Sequence, residues 1–274
     1  MILTNGVESC GRAKGEMENR NQSQIVRVPL GRANAYFVIS ERQALLIDTG
    51  IRGNEQKIVQ ALGNLGLSPS SIRLIILTHT HYDHCGSLKA LKDMTGARIV
   101  VHHNEATCLR EGYGGFPKGT TRLTKAISLI GRTVGKRIGG YDPVSPDITI
   151  SERFGLEEYG TDGYILPSPG HTSGSISVIV LNRYAIVGDT LFNIFRKSVF
   201  PPFADDQEEL FRSWGKLYDT GCRYFYPGHG NPFGIDKFRH SLETGKKRRE
   251  DGVRPWLWTL LTSEEKERGT LVAY

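Results

Sequence analysis

The chain has 274 residues, of which 38% are hydrophobic, 23% charged and 9% aromatic, enough to bury a sizeable core in one large domain or two small ones. Its formal net charge of +6 leans toward acidic partners but is too small to argue for nucleic acid. No apolar run approaches the ~20 residues of a membrane span. No basic-then-apolar leader is visible, and Cys10, Cys85, Cys108 and Cys222 form no CxxC pair. A soluble, cytoplasmic protein with free thiols is expected.

Residues 1–24 are polar, glycine-containing and aperiodic, which reads as a loose arm ahead of one domain over 25–274. Short β-branched or aromatic runs follow at 25–28, 35–39 and 44–47, separated by turn residues such as Gly31, Asn34 and Glu41-Arg42. The third run ends in Asp48-Thr49-Gly50, placing a carboxylate at a strand terminus. Ile58, Leu62 and Leu65, closed by Gly66, predict a helix over about 55–65. Leu74-Ile75-Ile76-Leu77 reads as the buried part of a strand over 72–77. Directly after it stands Thr78-His79-Thr80-His81-Tyr82-Asp83-His84, and then a helix over about 86–94 with Leu88 and Leu91 on one face. A strand over 98–101 ends at His102-His103, and a short helix runs to about Leu109.

Residues 112–141 differ in character. Leu123, Ile127, Ile130, Val134 and Ile138 recur at intervals of 4, 3, 4 and 4, the pattern of an amphipathic helix. Lys118, Arg122, Lys125, Arg132, Lys136 and Arg137 accompany them, with no acid. This stretch reads as a helical insertion over the main body, its apolar stripe packed inward and its basic face in solvent. Strands resume at 164–166, 175–181 and 184–187, the last ending at Gly188-Asp189. A helix over 206–217 precedes a strand over 224–226 that ends at Gly228-His229, and the segment 237–274 is expected to be helical over 237–249 and 255–261. Strands in a run, then alternating with helices, predict a layered α/β fold with two sheets.

Three histidines and an aspartate within six residues at a strand end are hard to explain as structural, because buried polar groups need partners. Imidazole nitrogen and carboxylate oxygen together suit zinc, and also iron or manganese. Five strand ends carry metal-capable side chains: Asp48, the 79–84 cluster, His171, Asp189 and His229. His171 and His229 lie in the glycine-containing turns Pro169-Gly170-His171-Thr172 and Pro227-Gly228-His229-Gly230, which can aim a side chain into a cleft. Cys85 beside this set reads as a small core residue and not as a ligand.

Together these motifs resemble the metallo-β-lactamase superfamily over roughly residues 25–236. His79-Thr80-His81-Tyr82-Asp83-His84 matches its HxHxDH motif, Pro169-Gly170-His171-Thr172 its later histidine, Gly188-Asp189-Thr190-Leu191-Phe192 its bridging acid and His229 its last histidine. The resemblance implies a four-layer αβ/βα sandwich holding two divalent metal ions, zinc foremost, at the edge of its paired sheets. It implies that His79, His81 and His171 hold one metal, that Asp83, His84 and His229 hold the second, that Asp189 bridges, and that Asp48 supports the site from behind. The implied activity is hydrolysis, in which a metal-bridging hydroxide attacks an ester, thioester or lactone carbonyl and Asp83 or Asp189 handles the proton. A bridging acid is typical of the glyoxalase II, lactonase and ribonuclease Z branches, although Phe192 stands where acyl-homoserine lactonases usually carry tyrosine. A phosphodiesterase or nuclease of the same fold, and a mononuclear iron dioxygenase resembling the persulfide dioxygenases, are the alternatives.

The basic insertion carries a further expectation. It is read either as a solvated helix or as a lid greeting an anionic small molecule, with Tyr113, Phe116 and Phe192 lining an apolar pocket and Arg122 and Lys125 contacting substrate. Attachment to a membrane is not expected, because the stripe is modest. Nor is nucleic-acid binding, since Lys246-Lys247-Arg248-Arg249 falls at a helix end and is followed by Glu250-Asp251.

Overall fold

A computed structural model describes residues 23–250. Residues 1–22 of the arm and the 255–261 run lie outside the described residues. Six strands form the first sheet, in chain order from edge to edge: β1 (Gln24–Pro29), β2 (Asn34–Ser40), β3 (Gln43–Ile47), β4 (Ile72–Ile76), β5 (Arg98–His102) and β6 (Ile148–Ile150). β1 to β3 pair antiparallel and β3 to β6 parallel. The second sheet holds β7 (Phe154–Gly155), β8 (Gly163–Pro167), β9 (Ile176–Val180), β10 (Tyr184–Gly188), β11 (Tyr224–Pro227) and β12 (Phe233–Gly234). There β10 and β11 pair parallel and the other neighbours antiparallel.

Parallel neighbours need a crossover, and helices supply it on the outer faces. α1 (Glu55–Asn64) joins β3 to β4. The short turn α2 (Tyr82–Cys85) and α3 (Leu88–Thr95) join β4 to β5, and α4 (Ala106–Glu111) follows β5. On the far side α6 (Gln207–Asp219) joins β10 to β11, and α7 (Ile235–Glu250) follows β12.

Side-chain alternation along the strands decides the layering. On β2, Ala35, Phe37 and Ile39 join a core with Ile58 and Leu62 of α1 and Leu88 and Leu91 of α3. Tyr36 and Val38 point the other way, into a second core with Ile176, Val178 and Ile186 of the opposite sheet. Ile179, Ala185 and Val187 point outward onto Leu210, Trp214 and Leu217 of α6 and Phe238 of α7. The order of layers is helix, sheet, sheet, helix, as expected.

Three strands escaped the sequence reading. β6, β7 and β12 have three, two and two residues, too few to show a period of two. The helix after the histidine motif also begins later than expected, at Leu88, because α2 turns separately before it.

The insertion corrects the sequence reading more seriously. α5 (Arg122–Ile138) starts at a capping box in which the Thr121 and Thr124 side chains satisfy each other's backbone N–H. Its buried residues are Ser128, Gly131 and Gly135, while Leu123, Ile127, Ile130, Val134 and Ile138 are exposed. The stripe does not pack on the body. The small-residue face does, because the loop before α5 lies against it. A Cβ at Gly131 would come within 2.6 Å of the Phe116 ring, and one at Gly135 within 2.2 Å of the Tyr113 hydroxyl. Only glycine permits so close an approach.

Candidate metal centre

The site forms where strands of both sheets end. Asp48 follows β3, His79 to His84 follow β4, His171 follows β8, Asp189 follows β10 and His229 follows β11. Strand ends at which loops diverge are where open α/β sheets place their clefts. Before His171 the chain turns at Gly170, whose φ of +133° suits glycine and whose Cβ would lie 2.3 Å from the Leu210 backbone nitrogen.

Three overlapping groups converge: His79, His81 and His171; His79, His84 and Asp189; and Asp83, His84 and His229. Within each, one ligand atom per residue lies within 4.8 Å of the others. Asp189 stands between the groups. Its Oδ2 is 3.9 Å from His79 Nε2, 3.4 Å from His171 Nε2 and 3.3 Å from His229 Nε2, while its Oδ1 is 3.3 Å from His84 Nε2. His229 Nε2 is in turn 3.5 Å from Asp83 Oδ2. His79 Nε2, His84 Nε2 and Asp189 Oδ1 are buried and without a hydrogen-bond partner. Orphaned buried polar atoms are rare, and three facing one small space fit bound cations.

The outer nitrogens are held so that the inner ones keep a lone pair. His171 Nδ1 donates to the Phe203 carbonyl at 2.9 Å, which leaves Nε2 facing His81 Nδ1 at 3.0 Å. His84 Nδ1 lies 2.8 Å from Asp48 Oδ2. Asp48 also accepts from the Thr78 N–H at 2.8 Å and the Thr78 hydroxyl at 2.7 Å, and His79 Nδ1 lies 3.1 Å from that hydroxyl. Asp48 achieves this with a left-handed backbone, φ 60°, a conformation uncommon outside glycine and strained enough to mark functional positions.

A further carboxylate escaped the sequence reading. Glu105, 3% exposed, accepts from the Thr80 N–H at 3.1 Å, from the Thr80 hydroxyl and from the Gly174 N–H at 3.2 Å. It thereby ties the backbone between His79 and His81 to the turn after His171. An acid three residues beyond the strand end at His102 was the available signal.

Burial pushes His79 and His81 well below the ordinary imidazole value, with neighbouring histidines adding to the effect, so both stand neutral and ready to coordinate. Burial opposes charge on His84 and His229 too, but Asp189 outweighs it and raises both, with Asp48 contributing at His84. Burial would raise Asp189, yet His229, His84 and His171 hold it well below the usual carboxylate range. A cation in this space would take over the role of the protons that Asp189 draws onto its histidines.

A cavity of about 220 Å³ opens onto this cluster. His81, Asp83, His171, Asp189 and His229 form its polar floor, and Phe116, Pro117, Phe192, Phe203, Gly131 and Ile138 its walls. The Phe192 ring stacks on His229 with centroids 4.6 Å apart. Phe116 and Phe192 thus lie beside the cluster, as does Tyr82, which the sequence reading passed over. The cavity walls do not include Tyr113, Arg122 or Lys125. Tyr113 is engaged beneath Gly135. Lys125 borders a separate outer cleft with Lys118, Arg132 and Asp206, because it lies on the side of α5 turned from the metals.

A sequence model of the metallo-beta-lactamase superfamily matches residues 28–229. The chain belongs to this superfamily. Among its relatives, the Bacillus subtilis (strain 168) protein named probable metallo-hydrolase YqgX is 31% identical over 61% of this chain and 70% of its own length. A hydroxyacylglutathione hydrolase of Albidiferax ferrireducens (strain ATCC BAA-621 / DSM 15236 / T118) is 35% identical over 28% of each chain. The fold matches the crystal structure of a metallo-beta-lactamase family protein from Thermus thermophilus, with TM-score 0.61 and 24% identity over 83% of this chain and 79% of that one.

Proposed function

We propose that this member of the metallo-beta-lactamase superfamily is a dinuclear metal-dependent hydrolase acting on the carbonyl of an ester, thioester or lactone with an apolar acyl part. The observation that carries this reading is the cluster of orphaned ligand atoms on the floor of a phenylalanine-walled cavity. His79, His81 and His171 would hold one metal, Asp83, His84 and His229 the other, and Asp189 would stand between them. Nitrogen and oxygen donors of this kind suit zinc, with iron or manganese also accommodated. Two bound divalent cations supply a water of lowered pKa and polarise the carbonyl oxygen.

The chain's own residues do the remaining work. Phe116, Phe192 and Phe203 hold the apolar part of the substrate and keep bulk water from the carbonyl. Both oxygens of buried Asp189 face histidines, whereas the less buried Asp83 on the cavity floor turns only its Oδ2 toward one, His229. Asp83 is therefore the group assigned to accept a proton and return it to the leaving oxygen or sulfur. Apolar walls favour this reading over a phosphodiesterase, whose charged substrate would need cations in their place.

Metal analysis of the purified protein and a substrate panel test the proposal. Two zinc ions per chain, with turnover of thioesters, esters or lactones exceeding that of a bis-aryl phosphodiester, are expected. Alanine at His81 or Asp189 should abolish that turnover. One iron per chain with oxygen consumption, or preferential phosphodiester cleavage, would refute it.

A further inference from the structure

The turn that carries His229 is held by its main chain. The outer nitrogens of His79, His84 and His171 each face an oxygen, at Thr78, Asp48 and Phe203. Among the described residues no hydrogen bond reaches the outer nitrogen of His229, whose ring stacks on Phe192 instead. Yet every carbonyl from Pro227 to Asn231 accepts a hydrogen bond from outside the turn. Pro227 accepts from Asn34 Nδ2 at 3.1 Å and from the Tyr36 hydroxyl at 2.6 Å. Gly228 accepts from the Asn34 N–H at 2.8 Å, and His229 from the Asn193 N–H at 2.9 Å. Gly230 accepts from Asn34 Nδ2 at 2.8 Å and Arg27 at 3.3 Å, and Asn231 from Asn193 Nδ2 at 2.7 Å.

Asn34 stands at the centre of this arrangement. It is 7% exposed, at the start of β2, and belongs to the opposite sheet from the turn it grips. Its side-chain amide has two hydrogens, and they go to Pro227 and Gly230, on either side of His229. On the inner side the turn lies directly against the site. A Cβ at Gly228 would come within 2.4 Å of Asp189 Oδ1 and 2.6 Å of His84 Cε1. A displacement of this main chain therefore moves His229 Nε2 relative to Asp189 and Asp83, from which it lies 3.3 and 3.5 Å.

Resting on the two-metal reading above, we infer that Asn34 is a positioning residue for His229. Through it the first sheet sets the affinity of the Asp83, His84 and His229 group and leaves the three-histidine group untouched. The two groups are held by separate scaffolds. Glu105 ties the Thr80 backbone to Gly174, and the Phe203 carbonyl orients His171, with no hydrogen bond shared with Asn34. Partners that orient a metal ligand are worth about 10- to 100-fold in affinity. For His229 that role falls to main-chain donors, since its ring has no such partner among the described residues.

Zinc titration of the full chain against a chromophoric chelator tests this. The wild type should bind zinc in two steps. Asn34→Ala should weaken one step about 10- to 100-fold and leave the other within about twofold. In a His229→Ala background Asn34→Ala should change nothing, because the coupling runs through a ligand that is gone. Equal weakening of both steps, weakening of neither, or an undiminished effect in the His229→Ala background would each overturn the inference. Tyr36→Phe removes one donor from the Pro227 carbonyl and keeps the ring. It should weaken the same step by less, and it serves in place of Asn34→Ala if that variant does not fold. A wild type that binds a single zinc would defeat the two-metal reading by itself. Hydrogen exchange in the metal-free protein then decides the role of Asn34. Asn34→Ala should speed exchange over 228–231 and leave 76–84 unchanged; unchanged exchange over 228–231 would refute the positioning role.

Discussion

Glu105 offers a sharp test of how the metal site is held. Its carboxylate receives three donors, the Thr80 N–H, the Thr80 hydroxyl and the Gly174 N–H, and it donates nothing. Glu105→Gln preserves shape and size but can accept at only one of its two terminal atoms. Turned one way, its NH₂ faces the Gly174 N–H; turned the other, it faces both groups of Thr80. At best one charge-assisted hydrogen bond is lost and two buried donors are left opposed, which costs about 2–4 kcal/mol. The loss falls on the two segments that carry His79, His81 and His171, so zinc affinity should drop about 10- to 100-fold, the usual range for residues that orient ligands. Urea denaturation of the metal-free protein reads the first effect, and competition with a chromophoric zinc chelator reads the second. A merely structural role would lower stability and leave affinity unchanged. If Glu105→Gln matched the wild type in both, the account of this carboxylate as a positioning residue would be wrong.

Three other outcomes are expected. Cys85 is buried, its thiol is pushed up by burial, and its Sγ donates to the His81 carbonyl at 3.2 Å, so Cys85→Ser should keep turnover within about threefold and a collapse would mark the thiol as a ligand or nucleophile. Gly131→Ala forces a methyl group within 2.6 Å of the Phe116 ring; the overpacking should cost about 1–3 kcal/mol in thermal unfolding and raise KM for apolar substrates, and an unchanged KM would show that Phe116 does not shape the cavity. Asp147 accepts from the Ile99 N–H and pairs with Lys92, which outweighs burial and lowers its pKa from 3.8. Its folded-state pKa lies below the unfolded one, so its contribution is present above about pH 4 and fades as the pH falls through the folded value. The melting-temperature gap between wild type and Asp147→Asn should therefore close in acid; a gap that persists would assign the effect to the neutral hydrogen bond.

What could be read from sequence follows from the range of the interactions involved. The convergence of the candidate ligands was legible because most of them sit in a turn soon after an apolar strand, so strand pattern and metal-capable side chains occur in one local window, as at Ile76 to His84. The two sheets were legible because each central strand carries its own alternation: Ala35 and Phe37 on one face, Tyr36 and Val38 on the other. β7 and β12 had no such window, since two residues cannot show a period and their pairing to β8 and β11 defines them. The acceptor that orients His171 was invisible for a different reason. It is the backbone carbonyl of Phe203, a group that every residue possesses.

α5 shows where periodicity stops informing. Spacing establishes which residues share a face, and Leu123 to Ile138 do share one; it does not establish which face turns inward. Apolar area alone would choose the stripe, since each buried CH₂ is worth about 0.8 kcal/mol. Shape chose otherwise. Packing through leucine and isoleucine would hold the helix axis about 8–10 Å from its neighbour, whereas the Gly131 and Gly135 face lets the Phe116 ring and the Tyr113 hydroxyl come against the helix backbone. That approach closes one wall of the cavity above His81 and Asp189 with atoms from α5 itself. The same rotation that brings glycine to the cavity must carry Ile127, Ile130 and Val134 to solvent, because the two arcs adjoin on one helix. The closed wall and the open apolar face are thus one structural choice, and a substitution that reversed it, burying the stripe, would have to dismantle the cavity wall that Phe116 completes.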